Sequence, residues 1–210
     1  MRIVILIILF FVCIGCRNAT EKEAEQVQIV VDSTGLIIKT VEKQTDNSKL
    51  TSFLENPIDL QEFKNLKKMR FTASVTNGTE YYYKPKIRDS IFYVYYYPSE
   101  EIKPDGIDQI VVFKYGKNKH TYEDETETFI ELKIFNKDSD LGKANLVGIS
   151  KTELETEFGF DYLILDNRIV YSNKNKVLIL ELDNSKVKSF NYIKLSTKKI
   201  NSDLIGRIIK

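Results

Sequence analysis

The sequence predicts an α+β fold, mostly antiparallel β-sheet with a few short helices packed on one face. Three observations carry that expectation. From Arg70 onward, runs rich in Val, Ile, Tyr, Phe and Thr follow one another at strand length. Turn signals separate the runs, among them Asn77-Gly78, Gly116-Lys117-Asn118-Lys119, Asp166-Asn167 and Asp183-Asn184. Helical spacing appears in short stretches with their own caps, after Asp59, after Ser150 and near the end of the chain. At 210 residues the chain is long enough for one domain with a proper core or for two small ones. Lys+Arg total 31 against 30 for Asp+Glu, a net charge of +1. That balance argues against a nucleic-acid binder, which needs a basic excess to displace counterions from phosphates.

The chain opens with MRIVILIILFFVCIGCRN. Met1-Arg2 is a positive start, Ile3 to Ile14 is almost unbroken apolar sequence, and Gly15 is a small residue before Cys16. This is the layout of a secretory signal peptide. A spanning helix needs roughly 20 apolar residues, and Arg17 ends the run short of that. The alternative reading of the stretch is an uncleaved membrane anchor with two incidental cysteines. Structural zinc takes four ligands, and this chain has two cysteines and one histidine.

Ile14-Gly15-Cys16 resembles the lipobox of bacterial lipoproteins, cut by a signal-peptidase-II-type enzyme ahead of a cysteine whose thiol carries diacylglycerol. Cys13 stands where members usually have an aliphatic residue, a mild change because a free Cys behaves as a small hydrophobe. The resemblance implies a leader 1–15, lipidation at Cys16, and a covalent lipid as the only attached group, with no other cofactor. Cleavage discards Cys13 and leaves one cysteine in the mature chain, so no disulfide forms within it. The implied location is the bacterial cell envelope, outer membrane favoured, on its periplasmic or surface face.

Residues 16–26 are polar without an apolar stripe and read as a flexible tether. A β-rich body then spans 27–145. Val27 to Val31 and Leu36 to Val41 flank Asp32-Ser33-Thr34-Gly35 as a hairpin. Pro57, Asp59 and Glu62 start a helix whose Leu60, Phe63 and Leu66 recur at helical spacing. Strands follow over Arg70 to Thr76, Tyr81 to Tyr83, Ser90 to Tyr97, Ile107 to Tyr115 and Glu127 to Phe135.

Residues 146–210 form a second unit, expected to pack with the body. Ser150-Lys151-Thr152-Glu153 is a capping box, Leu154 and Phe158 face inward, and Gly159 ends the helix. Strands follow over Tyr162 to Leu165, Arg168 to Tyr171, Val177 to Leu182 and Val187 to Leu195, then a terminal helix from Asn201 to Ile209 capped by Ser202. The segment Val147 to Gly159 and its strands resemble the helix-plus-sheet module of the outer-membrane assembly lipoproteins of the SmpA/OmlA type and of the β-lactamase-inhibitor-protein fold. The likeness covers about a quarter of the chain and lacks the Pro those proteins often carry after the Gly. It implies a protein-binding body.

Motifs of chemistry are scarce. His120 is the one histidine, in a polar turn, and reads as solvent-exposed; no Gly-x-Ser-x-Gly elbow or Gly-x-Gly-x-x-Gly loop occurs. The acids Glu123 to Glu127 and Asp138-Ser139-Asp140 lack the spacing around a Gly of a calcium loop and read as solvated. The strand period of two in Ile91 to Tyr97 puts Phe92, Val94 and Tyr96 on one face, suited to a core. The other face carries Tyr93, Tyr95 and Tyr97, joined by Tyr81 and Tyr83 if these lie on a neighbouring strand. Either a helix or hairpin covers this face, or it is a tyrosine-rich surface for a protein partner. The expected function is a membrane-anchored protein-binding module without catalytic residues or a metal, an inhibitor or immunity protein against a toxin or enzyme. The alternatives are a scaffold subunit of an envelope assembly and a carboxylate-dependent hydrolase.

Overall fold

The computed structural model describes residues 28–31, 37–40, 48–98, 106–122 and 127–209. The expected leader 1–15, the expected tether 16–26 and Cys16 lie outside the described residues. So do Glu123, Asp124, Glu125 and Thr126. Among the described residues, no helix is long and apolar enough to cross a membrane.

Eight strands form one antiparallel sheet, and its order merges the two expected units. Along the chain they are β3 (Thr72–Thr76), β4 (Ser90–Tyr97), β5 (Asp108–Tyr115), β6 (Thr128–Ile134), β7 (Leu163–Leu165), β8 (Arg168–Asn173), β9 (Lys176–Asp183) and β10 (Lys186–Lys194). Across the sheet the order is β3-β4-β5-β6-β10-β9-β8-β7. The last strand of the chain, β10, inserts beside β6 with Phe190 opposite Ile134. Residues 27–145 and 146–210 therefore share one hydrogen-bonded sheet. A separate antiparallel hairpin, β1 (Gln28–Val31) with β2 (Ile37–Thr40), places Gln28 opposite Thr40.

The hairpins of the second half follow local turn chemistry. Asn184 and Ser185, at φ 49° and 61°, link β9 to β10. Two successive positive φ values match the twist of paired strands, which ordinary turns do not. The first half departs from expectation at Tyr81 to Tyr83, which is not a strand. β3 pairs instead with β4, Thr72 opposite Tyr96. The intervening segment lies over the sheet, and Gly78 (φ +74°) is the reason it can. A Cβ there would stand 2.2 Å from the ring carbons of Phe92. Lys84 Nζ donates to the carbonyls of Gly78 and Thr79 at 2.8 and 2.7 Å, so the Asn77-Gly78 signal builds a strap rather than a hairpin.

One side of the sheet receives α1 (Ser48–Glu55), α2 (Leu60–Leu66), the 3-10 turn η1 (Ser139–Ala144) and α3 (Lys151–Phe158). Their Phe53, Leu54, Phe63, Leu141, Leu154 and Phe158 pack with Tyr97, Ile110, Leu132, Leu178, Leu180 and Tyr192. Asp59 caps α2 by accepting from the Glu62 amide at 3.0 Å. Ser150 and Glu153 form the reciprocal capping box of α3. α1 was not expected from the sequence, although Leu50, Phe53 and Leu54 carry helical spacing.

The helices do not share one face. α4 (Ser202–Ile209) packs Leu204 and Ile205 against Val170, Val177, Ile179 and Ile193, the strand residues that alternate with the first core. Its cap is Asn201, whose Oδ1 accepts from the Leu204 amide at 2.9 Å, rather than the expected Ser202.

At the opposite end of α1, Glu55 bridges Lys176 and Lys174, the latter at 3.0 Å. Hydrogen bonds from Lys176 and then Lys174 lower its carboxyl from 4.5 to about 2. A lowered folded-state pKa stabilises the fold above the unfolded value and loses that contribution as the pH falls. The acid limb of unfolding between pH 4.5 and about 2 should therefore be shallower in Glu55→Gln than in the natural chain. Equal slopes in an acid titration followed by circular dichroism would contradict this. The carboxyl is largely exposed, so added salt should shrink the difference.

Candidate functional site

The densest group of titratable side chains lies inside the protein, beneath the connection from β5 to β6. Strand alternation sets Lys114 in register with Ile110 and Val112, on the face toward the helices. On α2, Lys64 follows Leu60 by four residues and so lies on the inward stripe beside Phe63. Glu127 immediately precedes β6. The side chains of Lys64, Lys114 and Glu127 are 1 %, 0 % and 0 % exposed.

Lys64 Nζ is 2.6 Å from Glu127 Oε1, which also accepts from Gln61 Nε2 at 3.1 Å. Lys114 Nζ faces the other carboxylate oxygen at 3.4 Å. Each ammonium group then reaches a main-chain carbonyl of the connection, Lys64 that of Tyr122 and Lys114 that of Thr121. Tyr122 returns a hydrogen bond from its hydroxyl to the Lys64 carbonyl at 2.9 Å. Aromatic faces line the cations: Lys64 lies over Tyr122 at 4.4 Å and Tyr95 at 5.0 Å, and Lys114 over Tyr93 at 5.1 Å.

The five tyrosines, read from the sequence as either covered core or a partner surface, are divided. Tyr95 and Tyr97 are buried at 1 % and 4 % exposure beneath α2 and Phe71. Burial first, and then the neighbouring Tyr122 hydroxyl, raise the Tyr97 phenol above its ordinary range. Tyr93 is half-buried, its ring stacked on Tyr95 at 5.9 Å and its hydroxyl 3.2 Å from His120 Nδ1. Tyr81 and Tyr83 pack on the other side of the sheet, beside Phe92 and Phe113. An exposed tyrosine face therefore does not form from these residues. α2 and Phe71 cover Tyr95 and Tyr97, because Phe63 and Phe71 need the same apolar surface. Tyr81 and Tyr83 ride on the strap over Phe92.

His120 is exposed at the end of the connection, in a turn closed by Thr121 N–H to Asn118 C=O at 3.0 Å. Sequence reasoning missed Lys64 and Lys114. The available signal was a lysine at each position where the helical or strand period calls for an apolar residue. The arrangement does not expose the Lys–Glu–Lys group to a substrate. Its chemistry is positional: two buried cations hold the main chain at Thr121 and Tyr122.

A second feature is a groove of about 250 Å³ on the opposite side of the sheet, near the end of α4. Lys133, Arg168, Glu181, Ser189 and Asn191 line it with Ile208. Asn191 Nδ2 donates to Glu131 at 2.9 Å, and burial raises that carboxyl. Asp108, also raised by burial, accepts from the Phe135 amide at 2.7 Å and anchors the end of β6. Among the described residues no group of three or more His, Cys, Asp or Glu is placed to hold a metal ion. Comparison with family models, with curated proteins and with solved structures finds no match for the chain.

Proposed function

We propose that the protein is a lipid-anchored binding module of the bacterial envelope, acylated at Cys16 and held off the membrane by residues 16–26, with a protein as its partner. The observation that carries the binding reading is the clamp on Thr121 and Tyr122. Burying two ammonium groups and one carboxylate costs free energy that an apolar core does not. Here the cations hold carbonyls of a surface connection. That expense suits a segment whose shape must be kept for recognition. The connection presents Lys117, Asn118 and His120 at the end of the sheet. An inhibitor or immunity role against a toxin or enzyme is the sharper form of this reading, suggested by the likeness of 146–210 to inhibitor modules. A scaffold subunit of an envelope assembly is the second form.

One experiment tests anchor and contact together. The full chain is expressed with a photo-crosslinking residue at Asn118 or His120 in bacteria fed an alkyne fatty acid. Labelling should require Cys16, and Cys16→Ser should leave the membrane fraction. A single adduct should form from positions 118 and 120 and be absent from Phe160, an exposed residue after α3. Label on Cys16→Ser, or its retention in the membrane, would overturn the anchor. Equal crosslinking from all three positions would overturn the contact.

A further inference from the structure

We infer that β3 is a self-association edge, at which two copies of this chain pair antiparallel about a two-fold axis at Ser74 and join their eight-stranded sheets into one. β3 and β7 are the two edges of the sheet. β7 is three residues long and has β2 alongside it. β3 instead keeps an unbroken register with β4 over five residues, from Thr72 opposite Tyr96 to Thr76 opposite Phe92. Thr72, Ala73, Ser74 and Val75 are all exposed, Val75 at 54 %. The main-chain groups of β3 that face away from β4 meet no main-chain partner among the described residues.

A row of open N–H and C=O groups specifies its occupant chemically, because only another extended strand satisfies all of them. Natural edges are commonly blocked by a charge, a proline or a bulge. Thr-Ala-Ser-Val-Thr carries no charge and no proline, and its register has no bulge. A second copy is favoured over a foreign strand because this strand matches itself. Antiparallel pairing about Ser74 sets Thr72 opposite Thr76, Ala73 opposite Val75 and Ser74 opposite Ser74. No like charges meet, and pairs of Thr with Thr are favourable across strands. The interface uses the same patch on both copies and closes at a dimer. Both ends of the strand are already held. Arg70 N–H donates to the Lys67 carbonyl at 2.9 Å before it, and Gly78 N–H donates to Thr76 Oγ1 at 3.2 Å after it. A strand kept extended in the free protein loses little further freedom on pairing. The contact supplies about four to six main-chain hydrogen bonds. Its area falls short of the roughly 1,600 Å² of a standard interface, so the dimer forms and parts readily. The pairing needs no lipid at Cys16.

Cysteine trapping tests both the partner and the register. Ser74→Cys is a small change at an exposed residue whose Oγ lies 3.3 Å from the Tyr96 hydroxyl. The full chain carrying it is produced in bacteria, oxidised with copper phenanthroline, and read by mass spectrometry of disulfide-linked peptides. Position 74 should link to position 74 of a second copy. Thr72→Cys and Thr76→Cys, each alone, should give at least about tenfold less, because two copies of either position stand about 14 Å apart along the strands, beyond the reach of a disulfide. Produced together, those two variants should link position 72 to position 76. Adding Ala73→Lys and Val75→Lys to Ser74→Cys should abolish the link by setting like charges opposite one another. A second copy carrying Ala73→Glu and Val75→Glu with Ser74→Cys should restore it. Circular dichroism of the lysine variant should match that of the natural chain, since both positions are exposed. Absence of the 74-to-74 link, a link from position 74 to a different protein, or equal links from Thr72→Cys and Thr76→Cys alone would overturn the pairing.

Discussion

Glu127→Gln is expected to destabilise the protein by about 3–5 kcal/mol, measured as a lower midpoint in urea without a change in slope. The carboxylate is fully buried and faces two ammonium groups that are themselves buried. Gln keeps the volume and can still accept a hydrogen bond from Gln61 or Lys64. What it removes is a buried negative charge that faces both cations, at 2.6 Å from Lys64 and 3.4 Å from Lys114. An uncompensated charge in a low-dielectric interior costs far more than a missing surface pair, for which the typical figure is below about 1 kcal/mol. A loss under 1 kcal/mol would show that solvent reaches the cluster.

The triple change Lys64→Met, Lys114→Met, Glu127→Leu makes the opposite point. Replacing a whole buried ion group by apolar residues of similar size is often neutral or stabilising. Stability should therefore return close to that of the natural chain, while the carbonyls of Thr121 and Tyr122 lose the lysine hydrogen bonds. Faster amide exchange over 118–122 and loss of the crosslink from His120 should accompany the recovered stability. That separation would assign the network to the shape of the connection. Continued instability of the triple variant would assign it to the core instead.

The second large effect is in the packing of α3. Phe158→Ala should cost about 3–5 kcal/mol, the usual range for removing a buried aromatic ring. Phe158 is where three elements meet. Its ring lies 5.0 Å from Phe53 of α1 and 5.7 Å from Tyr171 of β8, edge to face with the latter. It is also the last residue before Gly159, whose carbonyl accepts the Tyr171 hydroxyl at 2.9 Å. Removing the ring leaves a gap that α1 and α3 cannot close without moving off the sheet. For a chain of this size each 1 kcal/mol lowers the melting temperature by about 2–4 °C, so a fall of roughly ten degrees should appear by calorimetry. Phe160→Ala, two residues on and exposed, should stay within about 0.5 kcal/mol of the natural chain. Equal effects from the two would show that α3 is not docked as described.

Much of the second half could be read directly. The capping box at Ser150, the stop at Gly159 and the hairpins after it depend on residues close in sequence, and each forms near the place expected. The misplaced strand at Tyr81 to Tyr83 has a specific cause. Asn-Gly between two apolar runs is a strong hairpin signal, yet β3 found a better partner in β4, with five residues in register. The segment between became a strap instead, tied by Ser196 N–H to the Tyr82 carbonyl at 3.1 Å and by Tyr82 Oη to the Arg207 carbonyl at 3.0 Å. Those partners are more than a hundred residues away and leave no local mark. The cap at Asn201 was missed by one residue because Asn and Ser are adjacent and both suit the position.

The sequence by itself determined the fold class, the alternation of each strand and most of its turns, because these follow from periods of two and 3.6 and from turn residues acting over a few positions. The proposed anchor rests on the sequence alone as well, on Cys16 after a short apolar run, a motif local in the chain. Tertiary structure alone decided which face of each strand was covered. Alternation puts Tyr93, Tyr95 and Tyr97 on one side without saying what lies there; α2 and Phe71 took that side over Tyr95 and Tyr97 and decided for core. The same packing drew Lys64 and Lys114 onto Glu127 and left Met69 exposed between buried Phe63 and half-buried Phe71. Burial is a property of what packs against a residue, and for these positions the covering residues come from elsewhere in the chain.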